Sequence, residues 1–579
     1  MRSATVACAV LLLASTACAY HPDNAVVQIA NAGRCVPVDI AAAPATAKLL
    51  TVAAANFNGS AAARLPNRAC AFVRVETVDS PVALRELTAS WPDAATLGPA
   101  PAAWVPGSSM WGELLDARLA DRRLPPIAPA GTPFARTPLV IAMPAPMARA
   151  LGYPRHPLSW NDLASLAVDP RGWGAYGHPE WGPFRLGKGN PNWSTTGLDQ
   201  TIALAASRDG APAARTLEPS VVYYSDSTDA YLDNWRRLAA TSTASALRYL
   251  SAAVTDERSV VKYDEGHAQK DESLDAHATS AALPLVPIYP SAAAIDSDNP
   301  IIVLRAAWTS AAAQAGARLF TEFALRPATQ AKVAAAGFRP ARGTVRTDLL
   351  KPAFGVDLTA RTDSVEPATP AAIERALDTW QTDRRPGRVL VLFDVSDSMG
   401  DHLPGIVNGP TKMAVAQAAL RTALDQLGRR DEVGLRIFTT KLSNPISSDW
   451  RDLVPIQPLT RDRPALDAAI ATLAPEQGSP LYTATRAAFD TIARAADPSR
   501  INGVVVLTDG YNEQDDNNLR ALLSHLGAGT GTRVFTIAYS VQADVPSLTK
   551  IAQVTNAWTY DATDPLDLPD VFARALANF

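Results

Sequence analysis

The segment RVLVLFDVSDSMG, residues 388–400, decides the fold of the C-terminal third of the chain. Arg388–Val395 is a nearly continuous apolar run, which predicts a strand buried on both faces, as in parallel sheets covered by helices. Asp394, Ser396 and Ser398 form the pattern D-x-S-x-S where this strand ends. One carboxylate and two hydroxyls are hard oxygen ligands of the kind that Mg²⁺ and Mn²⁺ prefer. The segment therefore predicts a buried strand that ends at a divalent-cation site.

Apolar runs and helix-periodic stretches alternate through residues 387–579. Further strands are predicted at Val433–Thr439, Gly503–Thr508, Arg533–Tyr539 and Ala557–Tyr560. Helices are predicted between the strands at Thr411–Leu427, Arg463–Leu473, Leu481–Ala495 and Asn518–Leu526. This alternation predicts a doubly wound, mostly parallel sheet, which binds ligands at the carboxyl ends of its strands.

Two more oxygen-bearing side chains are predicted at the same edge of this sheet. Asp509 follows the strand Gly503–Thr508 in the sequence TDG, and Ser479 opens the helix that begins near Leu481. The candidate metal ligands are therefore Asp394, Ser396, Ser398, Ser479 and Asp509. The alternative is a structural aspartate that accepts loop amides, with the serines acting as helix caps.

D-x-S-x-S after an apolar strand, followed much later by VVVLTDG, resembles the von Willebrand factor A (VWA) domain over residues 387–579. The resemblance implies a metal-ion-dependent adhesion site holding Mg²⁺, or Mn²⁺ or Ca²⁺, and a partner protein that supplies an acidic residue to the ion. Asp394, Ser396 and Ser398 carry over directly, and Asp509 matches an acid that in the family often acts through water. The family usually has threonine in place of Ser479, and Thr483 is the substitute donor that the sequence offers.

The N-terminal region, residues 33–345, also alternates strands and Ala-rich helices. Several loops are of the kind that lines a ligand cleft. Pro106–Trp111 contains Ser108 and Ser109, and Arg136 precedes the strand Pro138–Ala142. Ser194, Thr195 and Thr196 stand where a helix begins, a position that favours anions, although helix capping explains them equally simply. The aromatic run 173–184 is either a cleft loop or part of the core.

This layout resembles the type II periplasmic solute-binding fold, a two-lobed clamshell that closes on a small solute. The resemblance rests on ARTPLVIAM, on SWNDLA, on the loop Asn190–Gly197, and on Tyr289-Pro290. It implies that Ser108, Ser109, Arg136 and Ser194–Thr196 are candidate ligand-binding residues. Ala41–Ala45 lacks the serine that oxyanion-binding relatives offer after the first strand, which argues against a small anion.

The first 19 residues read as an export signal. Arg2 precedes an apolar stretch, and Ser15–Cys18 resembles a lipobox that would leave Cys18 lipidated; cleavage after Ala19 is the alternative. Export leaves Cys35 and Cys70 as the remaining pair, and an oxidising compartment favours a disulfide between them. The predicted order is signal 1–19, solute-binding-like domain 20–345, linker 346–386 and VWA domain 387–579.

Composition and motifs argue against nucleic-acid binding and against several enzyme classes. The 579 residues contain 53 Lys and Arg against 57 Asp and Glu, so there is no basic footprint for nucleic acid. The sequence has no HExxH, P-loop or GxSxG, and we predict no catalytic residues. We expect a protein anchored by lipid to the outer face of the cell membrane, which binds a partner through a cation and carries a solute-binding-like domain. The alternatives are a solute receptor of an ABC-type importer, and a metal-assisted hydrolase that uses Asp394 and Asp509.

Overall fold

The computed structural model describes residues 33–579 except 67–68, 268, 270–279, 291, 353–354, 361–367, 404–408, 441, 443–446, 448, 514–517 and 530. The predicted signal at 1–19 and the lipidation residue Cys18 lie outside the described residues. In the part of the chain that is described, no helix combines the length and apolar character needed to cross a membrane.

Three sheets and twenty α-helices make up the described fold. The strands are β1 (Val36–Ala42), β2 (Ala71–Thr77), β3 (Ala103–Val105), β4 (Thr132–Pro133), β5 (Ala135–Pro144), β6 (Leu186–Gly189), β7 (Val221–Ser225), β8 (Ala252–Asp256), β9 (Leu285–Ile288), β10 (Asp296–Ser297), β11 (Pro300–Val303), β12 (Arg339–Pro340), β13 (Gly387–Asp394), β14 (Glu432–Phe438), β15 (Trp450–Pro458), β16 (Ile501–Thr508), β17 (Thr532–Tyr539) and β18 (Thr559–Ala562).

The helices are α1 (Pro44–Phe57), α2 (Ser80–Thr88), α3 (Ala94–Leu97), α4 (Met110–Asp121), α5 (Ala145–Ala150), α6 (Trp160–Val168), α7 (Thr195–Ala206), α8 (Gly210–Leu217), α9 (Asp229–Thr241), α10 (Thr243–Tyr249), α11 (Glu257–Asp264), α12 (Ala311–Ala324), α13 (Pro327–Ala335), α14 (Pro370–Asp383), α15 (Lys412–Ala423), α16 (Leu459–Ala471), α17 (Leu481–Arg494), α18 (Leu519–Ala528), α19 (Val545–Val554) and α20 (Leu568–Leu576).

The first two sheets form two lobes joined by three chain crossings. Lobe 1 has the strand order β2-β1-β3-β11-β4, and lobe 2 has β10-β5-β8-β6-β7, with β9 and β12 also paired to β5. The chain passes from lobe 1 to lobe 2 between β4 and β5, returns between β10 and β11, and reaches the lobe 2 sheet again at β12. The predicted α/β clamshell is confirmed, and these crossings form its hinge.

The third sheet has the order β15-β14-β13-β16-β17-β18 and is parallel except for β15. Its four central strands are buried because helices cover both faces, as the apolar runs predict. Sequence periodicity missed three elements: the edge strand β15, and the helices α19 and α20. Much of β15 is half-buried or exposed, so it lacks the continuous apolar run that identified the inner strands.

A disulfide joins Cys35 to Cys70, as expected. It ties the residue before β1 to the residue before β2, two strands that pair in parallel in lobe 1. In the chain-entropy estimate, a crosslink over a loop of this length stabilises the fold by about 3–4 kcal/mol.

The segment between the clamshell and the third sheet is packed rather than free. Helix α14 lies in it and buries Ile373, Leu377 and Trp380. It contacts α4 of lobe 1 and α7 of lobe 2, so it lies across the boundary between the lobes.

Candidate functional site

The ends of β13 and β16 bring the two predicted acids together. These strands are parallel neighbours in register, with Phe393 opposite Leu507. Asp394 and Asp509 therefore project at the same edge, and both are fully buried. The Ser396 amide donates to Asp394 Oδ1 at 2.8 Å, which turns the chain sharply after the strand.

The predicted hydroxyls converge on these two carboxylates. Ser398 Oγ donates to Asp509 Oδ1 at 2.8 Å, and Ser396 Oγ lies 3.2 Å from Ser398 Oγ. Ser479 Oγ donates to Asp394 Oδ2 at 3.1 Å. The structure thus brings all five sequence-predicted metal ligands into one cluster, which we call the carboxyl edge.

Gly478 positions Ser479 in this cluster. Its φ is +64°, in the left-handed region that favours glycine, and an added Cβ would lie 2.6 Å from Thr440 Oγ1. The turn is held by hydrogen bonds from the amides of Thr440 and Glu476 to the carbonyls of Gln477 and Val395. A larger residue at position 478 would displace the serine.

Sequence reasoning missed two residues of the carboxyl edge. Thr508 Oγ1 donates to Asp394 Oδ2 at 2.5 Å, and Lys412 Nζ donates to Asp509 Oδ2 at 2.6 Å. Thr508 could have been found from its place beside Asp509. Lys412 carried no such signal, because it is the first residue of α15, where the helix dipole disfavours a cation.

Burial, and next the neighbouring Asp509, raise the pKa of Asp394 to about 7, while hydrogen bonds from Thr508 and Ser396 oppose the shift. When both buried carboxylates are ionised, their pairing with one lysine leaves the edge with an excess of negative charge. Such an excess favours uptake of a cation, provided that the ligands suit it.

The donor set fits a hard divalent cation. Among the described residues, no three His, Cys, Asp or Glu side chains lie together as a metal site, so a cation here would need hydroxyl ligands. The carboxyl edge supplies them. Ser398 and Ser479 donate their protons to carboxylates, Ser396 shares a hydrogen bond with Ser398, and all three hydroxyl oxygens keep lone pairs. Carboxylates with hydroxyls are oxygen donors of the kind that Mg²⁺ and Mn²⁺ accept.

A cavity of about 640 Å³ lies between the two lobes. Ser194, Thr195 and Thr196 line it, as the clamshell resemblance implies. Its charged lining is mixed: Lys48, Asp79, Asp226, Asp229, Asp256, Arg258 and Lys262. The cavity therefore suits a polar solute but does not select one sign of charge.

Hydroxyls in this lining also hold the fold together. Ser194 Oγ caps α7 by accepting the Gly197 amide at 3.3 Å, and lies 3.0 Å from Thr196 Oγ1. Thr195 Oγ1 accepts a hydrogen bond from Trp111 Nε1 of lobe 1 at 3.0 Å. The last bond crosses between the lobes, so the clamshell is closed at this point.

The other three predicted ligand residues lie outside the described cavity lining. Ser109 donates its amide and hydroxyl to Asp298, at 2.8 and 2.5 Å, and Ser108 hydrogen-bonds to buried Asp199. Arg136 is half-exposed and lies 3.9 Å from Asp296. All three lie beside the hinge, where their contacts connect or flank the crossing strands.

The aromatic run 173–184 packs in the core of lobe 2. Trp173 is fully buried, meets Trp181 edge to face at 5.3 Å between ring centroids, and donates to Ser251 Oγ at 2.9 Å. Of the two interpretations of this run, the structure favours core packing.

Residues 38–339, more than half of the chain, match the family model described as bacterial extracellular solute-binding protein. The chain belongs to this family. Residues 389–574 of this solute-binding protein match the von Willebrand factor type A domain. Both families are binding modules, and membership of an extracellular family together with the disulfide indicates an exported protein.

Two uncharacterized proteins of Mycobacterium tuberculosis, from strains CDC 1551 and H37Rv, are similar along most of the chain. Each is 26% identical over 506 residues, which is 83% of this chain and 67% of the relative. The similarity therefore spans both domains.

Among solved structures, the periplasmic binding protein AfuA from Actinobacillus pleuropneumoniae is 14% identical, with a TM-score of 0.39 over 60% of this chain and 98% of that one. A von Willebrand factor type A protein from Catenulispora acidiphila is 20% identical, with a TM-score of 0.28 over 34% of this chain and 42% of that one. At these TM-scores, neither structure says what this chain binds.

Proposed function

We propose that the VWA domain of this solute-binding protein holds Mg²⁺ or Mn²⁺ at the carboxyl edge and binds an acidic side chain of a partner protein through it. The observation that carries the proposal is the convergence of two buried carboxylates and three serine hydroxyls on one point. The ion would supply a positively charged site with ligand positions open to an outside carboxylate. The chain would act by binding, with no catalytic residue.

This chain's own residues have separable tasks in that site. Asp394, Ser396, Ser398 and Ser479 would hold the ion, and Asp509 would hold it directly or through water. Gly478 keeps the Ser479 turn tight, and Thr508 orients Asp394 by donating to its Oδ2 atom.

Calorimetric titration of the full chain with Mn²⁺ tests the proposal. Wild type should bind about one equivalent, and Asp394→Ala should lose binding by a hundredfold or so, which is about 3 kcal/mol. Ser499→Ala is the control, because this exposed serine precedes β16 while Asp509 follows that strand. The variant should bind Mn²⁺ as wild type does. Unchanged Mn²⁺ affinity in Asp394→Ala would contradict the proposed cation site.

The second candidate function is a solute receptor for an ABC-type importer, with the VWA domain as a docking accessory. It is favoured by the cavity of about 640 Å³ between the lobes. A metabolite that enters this cavity should raise the melting temperature of the clamshell by mass action. Cells lacking the protein should then take up that metabolite more slowly; equal uptake would exclude the importer role.

We further propose that Cys18 carries a lipid anchor to the outer face of the cell membrane. The proposal rests on Ser15–Cys18 in the sequence. Cys18→Ser should move the protein from the membrane fraction to the soluble fraction after export. Retention in the membrane fraction would contradict it.

A further inference from the structure

Lys412 is a built-in cation at the carboxyl edge that neither the motif nor the family match assigns. Its side chain is buried, and its ammonium donates to Asp509 Oδ2 at 2.6 Å and to Gln542 Oε1 at 3.2 Å. Asp401, which is largely exposed, lies 3.7 Å away. The ammonium is thus held beside one of the two carboxylates that the proposed ion needs.

The charge count at this edge changes sign when a divalent ion enters. With both carboxylates ionised, Asp394, Asp509 and Lys412 sum to one negative charge, and the ion makes the total one positive charge. Without Lys412 the loaded site would be neutral. In a buried site of low effective dielectric constant, a difference of one charge changes affinities strongly.

We propose that Lys412 weakens cation binding at the carboxyl edge and thereby keeps the loaded site positive, so that it selects an anionic carboxylate from the partner. Lys412 is a positioning residue in this scheme, because it acts through Asp509. The inference deepens the proposed function and rests on it.

Lys412→Met removes the charge and keeps an unbranched side chain that is one atom shorter. We expect Mn²⁺ to bind this variant about tenfold more tightly than wild type, because the like charge is gone. Lys332→Met, at an exposed lysine of lobe 1, is the matched control and should not change the affinity. Equal or weaker Mn²⁺ binding by Lys412→Met would overturn the inference.

The second readout is the affinity of the loaded site for acetate, the simplest carboxylate probe. Acetate is titrated into Mn²⁺-loaded protein while the water-proton relaxation rate is followed. Lys412→Met should need severalfold more acetate than wild type for the same change. An unchanged acetate midpoint would overturn the inference even if the metal bound more tightly.

Two further outcomes separate this inference from the proposed function. If wild type and Lys412→Met both fail to bind Mn²⁺, the proposed function falls and the inference falls with it. If only the variant binds, the proposed function falls, while the weakening of cation binding by Lys412 stands. If the variant folds only with millimolar Mn²⁺, the ion replaces the lost charge and the inference is supported. If it does not fold even then, the inference is overturned.

A different set of contacts carries a second inference, at the junction of the VWA domain and the clamshell. Helix α20 reaches both lobes. Arg574 forms ion pairs with Asp79 of lobe 1 and, at 3.9 Å, with Asp226 of lobe 2, and both aspartates line the cavity. Asp570 pairs with Arg85 of lobe 1.

The VWA domain is anchored to lobe 2 by buried contacts. Tyr223 of lobe 2 packs edge to face on Trp558 and Phe535, at 5.2 and 6.1 Å, under the Arg533 guanidinium. The Tyr224 amide donates to the Asn578 carbonyl at 3.0 Å. By contrast, the lobe 1 contacts of α20 are ion pairs that water reaches, which are individually weak.

We propose that α20 is a latch that holds the clamshell closed from outside the cavity. Opening at the hinge moves lobe 1 away from lobe 2, to which the VWA domain stays fixed, so the pairs Arg85–Asp570 and Arg574–Asp79 must break. The VWA domain would thereby govern access to the cavity, whether or not it holds a cation.

Pulsed electron-spin distance measurement on the full chain tests the latch, with labels at Glu322→Cys in lobe 1 and Val168→Cys in lobe 2, both exposed. Arg85→Asp should produce a population at longer distance. The charge swap Arg85→Asp with Asp570→Arg should remove that population. Arg171→Asp, which breaks an exposed pair within lobe 2, should leave the distances unchanged. An unchanged distribution in Arg85→Asp, or one that the swap does not restore, would overturn the latch.

Discussion

The carboxyl edge and the cavity between the lobes are both polar sites, but they are assembled differently. At the carboxyl edge, three short segments supply every predicted oxygen, and neighbouring parallel strands fix where two of those segments begin. At the cavity, residues from both lobes meet only because the clamshell is closed, as the bond from Trp111 to Thr195 shows.

The difference teaches how far a motif can be trusted. The position of a motif that follows a buried strand is set by the register of the sheet. Motif side chains from neighbouring strands therefore lie close to each other. A cleft residue depends on a hinge and on hydrogen bonds that also stabilise the fold. The predictions below test this contrast, beginning with the hinge.

Asp199→Asn is expected to have the largest effect. Asp199 is buried at the hinge, where Ser297 Oγ donates to it at 2.7 Å, and burial raises its pKa to about 7. Because the folded pKa lies above the unfolded value, Asp199 contributes stability at pH 4 that is lost as the pH rises through 7. Wild type should therefore lose unfolding free energy between pH 4 and pH 8, and the variant should not. The difference in unfolding free energy should shift in favour of the variant by up to about 4 kcal/mol over this range.

Urea unfolding of the full chain across that pH range measures the gain in unfolding free energy. Asp378→Asn, at an exposed carboxylate on α14, is the control, and its unfolding free energy should change with pH as that of wild type does. If the unfolding free energy of Asp199→Asn also changed with pH as that of wild type does, burial would not raise the pKa of Asp199.

Ser194→Ala separates capping from ligand binding at the cavity. Loss of the α7 cap should cost about 1 kcal/mol of unfolding free energy. Ser310→Ala removes the same kind of cap from α12 in lobe 1 and should cost a similar amount. A much smaller cost for Ser194→Ala, measured by urea unfolding, would mean that this serine serves the solute rather than the helix.

Ser479→Thr is expected to have the smallest effect, and it tests the carboxyl edge. Threonine keeps the hydroxyl that donates to Asp394, so Mn²⁺ affinity should stay within about threefold of wild type, less than 1 kcal/mol. Ser479→Ala removes the oxygen and should weaken binding clearly more. Equal affinities in both variants, by calorimetry, would show that the hydroxyl at this position is not a ligand.

Most of the third sheet was predictable, because strands buried on both faces leave continuous apolar runs. The strand β13 begins and ends one residue before the predicted range, and β16 ends at Thr508 as expected. The edge strand β15 was not predictable, because water reaches one side of it. Lys412 was missed for a related reason: a lysine at a helix start is ordinarily exposed, and only the fold brings it to Asp509.

The clamshell was predictable in outline but not in its contacts. Ser108, Ser109 and Arg136 carry the right chemistry for a cleft, yet their partners Asp199, Asp298 and Asp296 are distant in sequence and lie at the hinge. No local pattern identifies such pairs, because serine, arginine and aspartate are each common in loops, and neither partner's sequence context indicates the other.

The sequence by itself determined the two fold classes, the disulfide pairing and five of the oxygen-bearing residues of the carboxyl edge, because apolar periodicity and strand-end motifs are local properties. Only the tertiary structure decided that Lys412 neutralises Asp509, that α14 lies across both lobes and that α20 pairs with residues on either side of the cavity. Those contacts join residues tens to hundreds of positions apart, and the physical reason is that packing of whole domains, rather than any local preference, sets which charges meet.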